Sequence, residues 1–172
     1  SPPLFGSHHS GQHRLAGNFG PDSYPEGAGS QAFGESAMTI RWADWEDWPE
    51  LCKRDHHLPE QELRRAIRLR RVLVGVDNGA LVGWLRYNLF WDNTPFLNLL
   101  YVKEEYRNLG WGRALHQHWE EAMKKEGFSV LLTSTQAEEC SQHFYRRLGY
   151  RDIGGFLLPP EPYELMLAKK PA

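Results

Sequence analysis

The chain has 172 residues, 41% of them hydrophobic and 24% charged, with a formal net charge of −2. That is enough for one globular domain with its own core, and the near-neutral balance calls for no nucleic-acid or membrane partner. Cys52 and Cys140 are the only two cysteines and form no C-x-x-C pair, so a disulfide scaffold or zinc site is not expected and a reducing cytoplasm is the natural setting; no apolar run approaches the roughly 20 residues that span a bilayer.

Residues 1–37 form a leader in which 17 positions are Gly, Ser or Pro. Its apolar residues follow no period, so it cannot bury enough surface to offset the entropy of ordering. His8, His9 and His13 read as a tag or spacer ahead of a native start at Met38. The domain is expected over residues 38–172. A strand is expected over residues 39–42. Residues 44–56 carry Trp45, Trp48, Leu51 and Cys52 at helical spacing, and a second helix covers residues 59–70. Val72, Val74 and Val76 alternate up to Asn78-Gly79, whose backbone preference for positive φ marks a hairpin turn. The partner strand is expected over residues 81–90 and a further strand over residues 96–102. The next helix runs over residues 111–126, with Leu115, Trp119, Ala122 and Met123 on one face and Gly127 closing it. A strand at residues 129–135 leads to a helix at residues 138–148, lined by Cys140, Phe144 and Leu148. Strands at residues 150–157 and 163–168 finish the chain. The order β-α-α-β-β-β-α-β-α-β-β describes a mixed α/β domain with one central sheet.

The segment Arg107-Asn108-Leu109-Gly110-Trp111-Gly112 sits where a strand passes into a helix. A helix N-terminus offers unpaired N–H groups and a partial positive charge, and so binds phosphate oxygens. Glycines let the backbone approach an anion closely, and Arg107 and Arg113 add charge. The loop lacks the Gly-Lys-Ser/Thr ending of a P-loop and the third glycine of the dinucleotide fingerprint. On its own it is also consistent with an ordinary tight turn at a helix start.

Leu100-x-Val102, four residues, then Arg107-x-x-Gly110-x-Gly112-x-x-Leu115 resembles the acyl-CoA-binding motif of the GNAT superfamily of N-acetyltransferases. Ser141-x-x-Phe144-Tyr145-x-Arg147-x-Gly149-Tyr150 resembles that superfamily's second motif, and the element order matches from about Met38 to Ala168. The resemblance implies a single mixed, mostly antiparallel sheet flanked by helices, with acetyl-CoA between two splayed strands as co-substrate; no metal is expected, because His116 and His118 lie two apart on a helix and face different directions. It implies cofactor contacts at Tyr101, Val102, Arg107, Asn108, Leu109, Gly110, Trp111, Gly112, Arg113 and Ser141. An amine would attack directly in a ternary complex, and Tyr145 would protonate the leaving thiolate, a phenol still being protonated at neutral pH. With Phe144 inward, Tyr145 is expected to point about 100° away, towards the cleft.

The general base is open. Asn98 stands where the family often has a carboxylate, and Glu138 where it usually has asparagine; Glu104, Glu138, Asp92, His143 or an ordered water remains for the base. Thr133 or Ser134 is available in place of the lost asparagine contact. Tyr87, Trp91 and Asn98 are candidates for the acceptor site, whether for a small-molecule amine or a protein amine, and a homodimer is compatible with the resemblance. Arg64, Arg65, Arg68, Arg70 and Arg71 read as a solvated helix face paired with Glu60 and Glu62 rather than a nucleic-acid site. The missing strand carboxylate keeps a second reading open: a non-catalytic acyl-CoA-binding regulatory module on the same fold.

Overall fold

The computed structural model describes residues 38–172, so the readings made for residues 1–37 lie outside the described residues. The elements run β1 (Thr39–Trp42), α1 (Trp48–Arg54), α2 (Glu60–Arg68), β2 (Val72–Asp77), β3 (Ala80–Phe90), β4 (Thr94–Val102), α3 (Trp111–Lys125), β5 (Leu131–Gln136), α4 (Ser141–Arg147), β6 (Arg151–Phe156) and β7 (Glu164–Lys169), with a 3-10 turn at Glu104–Tyr106. The seven strands form one sheet in the order β1-β2-β3-β4-β5-β7-β6. Every neighbouring pair is antiparallel except β4 and β5. The fold is therefore the expected single mixed, mostly antiparallel sheet with helices on both faces.

The Asn78-Gly79 turn behaves as its chemistry requires, with φ of 48° and 81°. Four element starts differ from the sequence reading by two residues or more, β5 among them at Leu131. α1 begins at Trp48 and not near Asp44. Arg41 grips the Asp47 carboxylate at 2.7 and 2.9 Å, and the same carboxylate accepts the Asp44 N–H, which holds this stretch as a turn. Trp45 is left outside the helix, 55% exposed. β4 starts at Thr94 because Pro95 pairs with Leu89 near the strand end, where a missing N–H is tolerated. α4 starts at Ser141, because Glu139 accepts from the Thr135 and Ser141 hydroxyls and tethers the preceding residues as a loop.

Two cores result. Beneath α3 and α4, Leu85, Leu97, Leu100 and Val102 pack against Leu115, Trp119 and Met123. Beneath α1 and α2, Val72, Val74, Trp84 and Leu99 meet Leu51, Leu63 and Ile67. Each fully buried leucine stabilises the fold by about 1.5–3 kcal/mol. In β4, alternation fails at one place. Arg86 pairs with Leu99 while Tyr87 pairs with Leu97, so Asn98 is an extra residue, a β-bulge. The bulge sends Leu97 and Leu100 to one core and Leu99 to the other, and such bulges re-aim side chains beside binding sites.

Among the described residues, no helix is long and apolar enough to cross a membrane, and no group of three or more His, Cys, Asp or Glu is placed to hold a metal ion.

Candidate active site

β4 and β5 touch only briefly. Phe96 pairs with Leu132 and Leu97 with Thr133, and the Thr133 hydroxyl donates to the Leu97 carbonyl at 3.1 Å. Beyond that point the strands part, and the Asn98 bulge stands where they do. Lys103 N–H donates to the Val82 carbonyl at 2.8 Å. Antiparallel ladders alternate, so Tyr101 and Leu99 also bond β3, while Leu100 and Val102 turn their backbone groups into the gap. This corrects one expectation: the Tyr101 backbone is used by β3, and Leu100 joins Val102 on the gap side.

The loop after β4 carries the gap to α3. Asn108 has a φ of 60°, and Gly110 is the N-cap with a φ of 90°. Ala114 N–H makes the first intrahelical bond, to the Gly110 carbonyl at 3.0 Å. The N–H groups of Trp111, Gly112 and Arg113 precede it and find no partner among the described residues. No acidic residue occupies the first turn, and a β-carbon on Gly110 would meet nothing within 4 Å. The result is an open cradle of donors, suited to an anion. The Trp111 side chain, by contrast, is 4% exposed and lies against Gly75, where a β-carbon would come within 3.0 Å of its ring. It anchors the helix start to β2, so only its N–H faces the cradle. Arg107 donates its Nε to the Val102 carbonyl at 2.9 Å and sits 5.7 Å from the centre of the Tyr101 ring, bracing the loop against β4. Asn108, Leu109 and Arg113 are exposed.

Tyr145 lies at the apex of the gap, on the α3/α4 face. It is 1% exposed, and its neighbour Thr133 is the last β5 residue paired with β4. Burial pushes its phenol well above the usual range, so it is protonated at neutral pH. The expected division of α4 into an inward Phe144 and a cleft-facing Tyr145 does not hold. Both rings are buried, with centroids 5.4 Å apart, and the inward face is Ser141, Phe144 and Tyr145, with Cys140 exposed. Tyr145 is both core and apex. Ser141 is 1% exposed, and its hydroxyl is engaged by Thr135 and Glu139. Its part is to fix the start of α4.

On the opposite face a cavity of about 360 Å³ lies between α2 and the β3–β4 hairpin. Tyr87 and Asn98 line it, and Asn98 donates to Asn88 at 2.8 Å. Trp91 does not line it. It is 80% exposed and rests on Phe90, at 4.8 Å between ring centroids. Of the candidate bases, Asp92 lines the cavity, but it lies beyond Thr94, itself about 13 Å along the strand from the bulge. Glu138 and His143 are exposed, and Glu104 belongs to the 3-10 turn past the far end of β4. Sequence reasoning missed a buried carboxylate on this face, one hydrogen-bonded residue pair from the apex. Glu164 is 6% exposed and accepts from the Ser134 hydroxyl at 2.7 Å, and Ser134 follows Thr133 directly. Only the antiparallel register of β5 and β7 brings these two residues together, and no local spacing signals it.

A model described as the acetyltransferase (GNAT) family matches residues 35–150, two thirds of the chain. Among solved structures, Ard1 from Thermoplasma volcanium superposes with a TM-score of 0.69 at 14% identity, over 79% of this chain and 99% of that one. The ribosomal-protein-S18-alanine N-acetyltransferase of Escherichia coli gives 0.64 at 20% identity, over 78% and 94%. YncA of Salmonella typhimurium, a putative acetyltransferase solved with acetyl-CoA, gives 0.66 at 18% identity, over 80% and 95%. At these identities the likeness is one of fold. No curated protein matches the chain.

Proposed function

The chain belongs to the acetyltransferase (GNAT) family, and on that premise we propose that it moves an acetyl group from acetyl-CoA to a primary amine by direct attack in a ternary complex. The observation that carries this reading is the parted β4/β5 gap, which leads from the Tyr145 phenol to the unpaired N–H groups of Trp111, Gly112 and Arg113. The cradle fits a pyrophosphate, being rich in donors, free of carboxylates in its first turn and open above Gly110. The backbone groups of Leu100 and Val102 would hold the pantetheine arm. Acetyl-CoA bound there supplies the activated acyl carbonyl.

The chain's own residues then handle charge and protons. A gap-facing N–H near the bulge stabilises the negative charge that develops on the carbonyl oxygen, an effect worth roughly 3–4 kcal/mol in comparable sites. The amine nitrogen bonds to the carbonyl carbon as the carbon–sulfur bond breaks. Tyr145 gives its proton to the leaving sulfur. The amine's proton leaves on the other face of the sheet, through the Ser134 hydroxyl to the Glu164 carboxylate. Acid and base thus act from opposite sides of the gap, so neither blocks the other.

Release of free thiol from acetyl-CoA, followed across a panel of amines, tests the reading. Tyr145→Phe and Glu164→Gln should each lower kcat by about 10²-fold or more, with acetyl-CoA binding retained. Unchanged turnover in Tyr145→Phe would remove the acid. Tight acetyl-CoA binding with no thiol release for any amine would turn the reading to a binding module.

A further inference from the structure

The cavity under α2 says something about the acceptor. α2 and its C-cap turn Glu62, Arg65 and Leu69 towards it, and the sheet contributes Arg86, Asn88 and Asn98. Arg86 is 8% exposed, unusual for a guanidinium. Asp55 holds it from behind, accepting its Nε at 2.9 Å and its Nη2 at 3.4 Å. The Asp55 carboxylate also accepts the Trp84 indole N–H at 3.2 Å, so its own position is fixed. Arg86 Nη1 donates to no described residue, yet it is not among the buried unsatisfied atoms, and Arg86 lines the cavity. Its free hydrogens therefore open on the cavity. A guanidinium anchored on one edge, with donors left on the other, is preorganised for a small anion.

Arg65 supplies a second guanidinium from across the cavity. It makes no ion pair with any described residue, unlike its neighbour Arg64, which pairs with Glu60 at 3.2 Å and stacks over Trp48. The two arginines line one cavity, and Arg86 stands beside the strand that borders the gap. Arg86 pairs directly with Leu99, one residue beyond the Asn98 bulge where the gap opens. Paired strands lie about 5 Å apart, so an anion on Arg86 lies within one short molecule of the apex. Arg71 lines the cavity as well, and Glu62 and Asp92 offset two of the three guanidinium charges, which favours a ligand with a single negative group. A volume of about 360 Å³ suits a small molecule.

Resting on the acetyltransferase reading, we propose that the acceptor is a small amine bearing a carboxylate, with the carboxylate held by Arg86 and Arg65 and the amine delivered past Asn98 to the gap. Two charge-assisted hydrogen bonds predict that a carboxylated amine outperforms its uncharged amide by roughly tenfold to hundredfold in kcat/KM.

The test uses the full chain, acetyl-CoA and matched pairs of amino acids and their amides, short and long, with thiol release as the rate. The expected result is a tenfold or greater preference for the acid, falling towards one in Arg65→Gln. Because Arg86 alone cannot be truncated without leaving Asp55 buried and unpaired, the pair is removed together as Asp55→Leu with Arg86→Met. That variant should also lose the preference, while the rise in melting temperature on adding acetyl-CoA reports that it is folded. Equal rates for acid and amide, or a preference that survives both variants, would overturn the proposal. If no amine turns over, the acetyltransferase reading fails, and calorimetry of the same amino acids into the coenzyme A-loaded chain decides the cavity. Binding that the two variants abolish supports the carboxylate site, and no binding refutes it.

Discussion

His116 stands inside the core behind the reaction apex, with Nε2 2.8 Å from the Tyr150 hydroxyl. Tyr150 in turn lies edge-on to Tyr145, at 5.5 Å between centroids. Burial pushes the His116 pKa from 6.5 down to about 4, against the opposing pull of Glu120. The folded state therefore holds this imidazole neutral, while the unfolded chain protonates it below about 6.5. A group whose folded pKa is lowered in this way stabilises the protein least at low pH. Its contribution is intact above pH 6.5 and is lost as pH falls towards 4, about 3 kcal/mol over that window. Urea unfolding at pH 7.5 and 4.5 should show that loss, and in His116→Gln the loss should shrink by most of this amount. An equal loss in the variant would show that other groups carry the acid sensitivity. At the same scale, the sequence reading set Tyr145 in the wrong neighbourhood. A helical wheel separates Phe144 from Tyr145 by 100°, but a seven-residue helix laid against β5 buries both. Cys140, placed inward by the same wheel, precedes the helix altogether.

The elements that frame the site depend on contacts between residues far apart in the chain. Asp55 closes α1, its N–H donating to the Leu51 carbonyl at 2.8 Å, and its side chain reaches 31 residues onward to Arg86. That ion pair ties the α1–α2 connection to the middle of β3, with both partners buried. Removing one partner leaves a charge without compensation, so Asp55→Ala should cost about 3–5 kcal/mol, while the paired hydrophobic replacement costs far less. Chemical denaturation of the two variants measures the difference; equal costs would mean the pair adds nothing beyond packing. No sequence periodicity could have found Asp55, since it follows the last turn of α1 and its partner lies in a strand whose residues are buried on both faces. The amphipathic stripe of α3 and the Asn-Gly hairpin were legible because each is decided within a few residues. The bulge at Asn98 was not, because Leu97-Asn98-Leu99-Leu100 reads equally well as a regular strand until β3 sets its register.

At the scale of the molecule, the sheet is two antiparallel halves, β1–β4 and β5-β7-β6, which meet through just two residue pairs in parallel register. The rest of the seam is gap. A ligand lying in it, with its phosphates on the α3 cradle, would bridge halves that the chain joins through this short ladder and the helices. Anything that binds only the folded state stabilises it by mass action, about 2.7 kcal/mol at a hundred times Kd. Acetyl-CoA should therefore raise the melting temperature. In hydrogen exchange, the added protection should concentrate on the amides of Leu100, Val102, Trp111, Gly112 and Arg113, with little change in β1 or β6. Gly110→Val separates the cradle from the fold. The space beside Gly110 is open, so the fold should survive with only the strain of a side chain at a φ of 90°, on the order of 1–2 kcal/mol. The pyrophosphate would then lose close approach to the donors, and both the thermal shift and the protection pattern should collapse. Protection spread evenly over the sheet, or a shift unchanged in Gly110→Val, would move the cofactor elsewhere and leave the gap without its bridge.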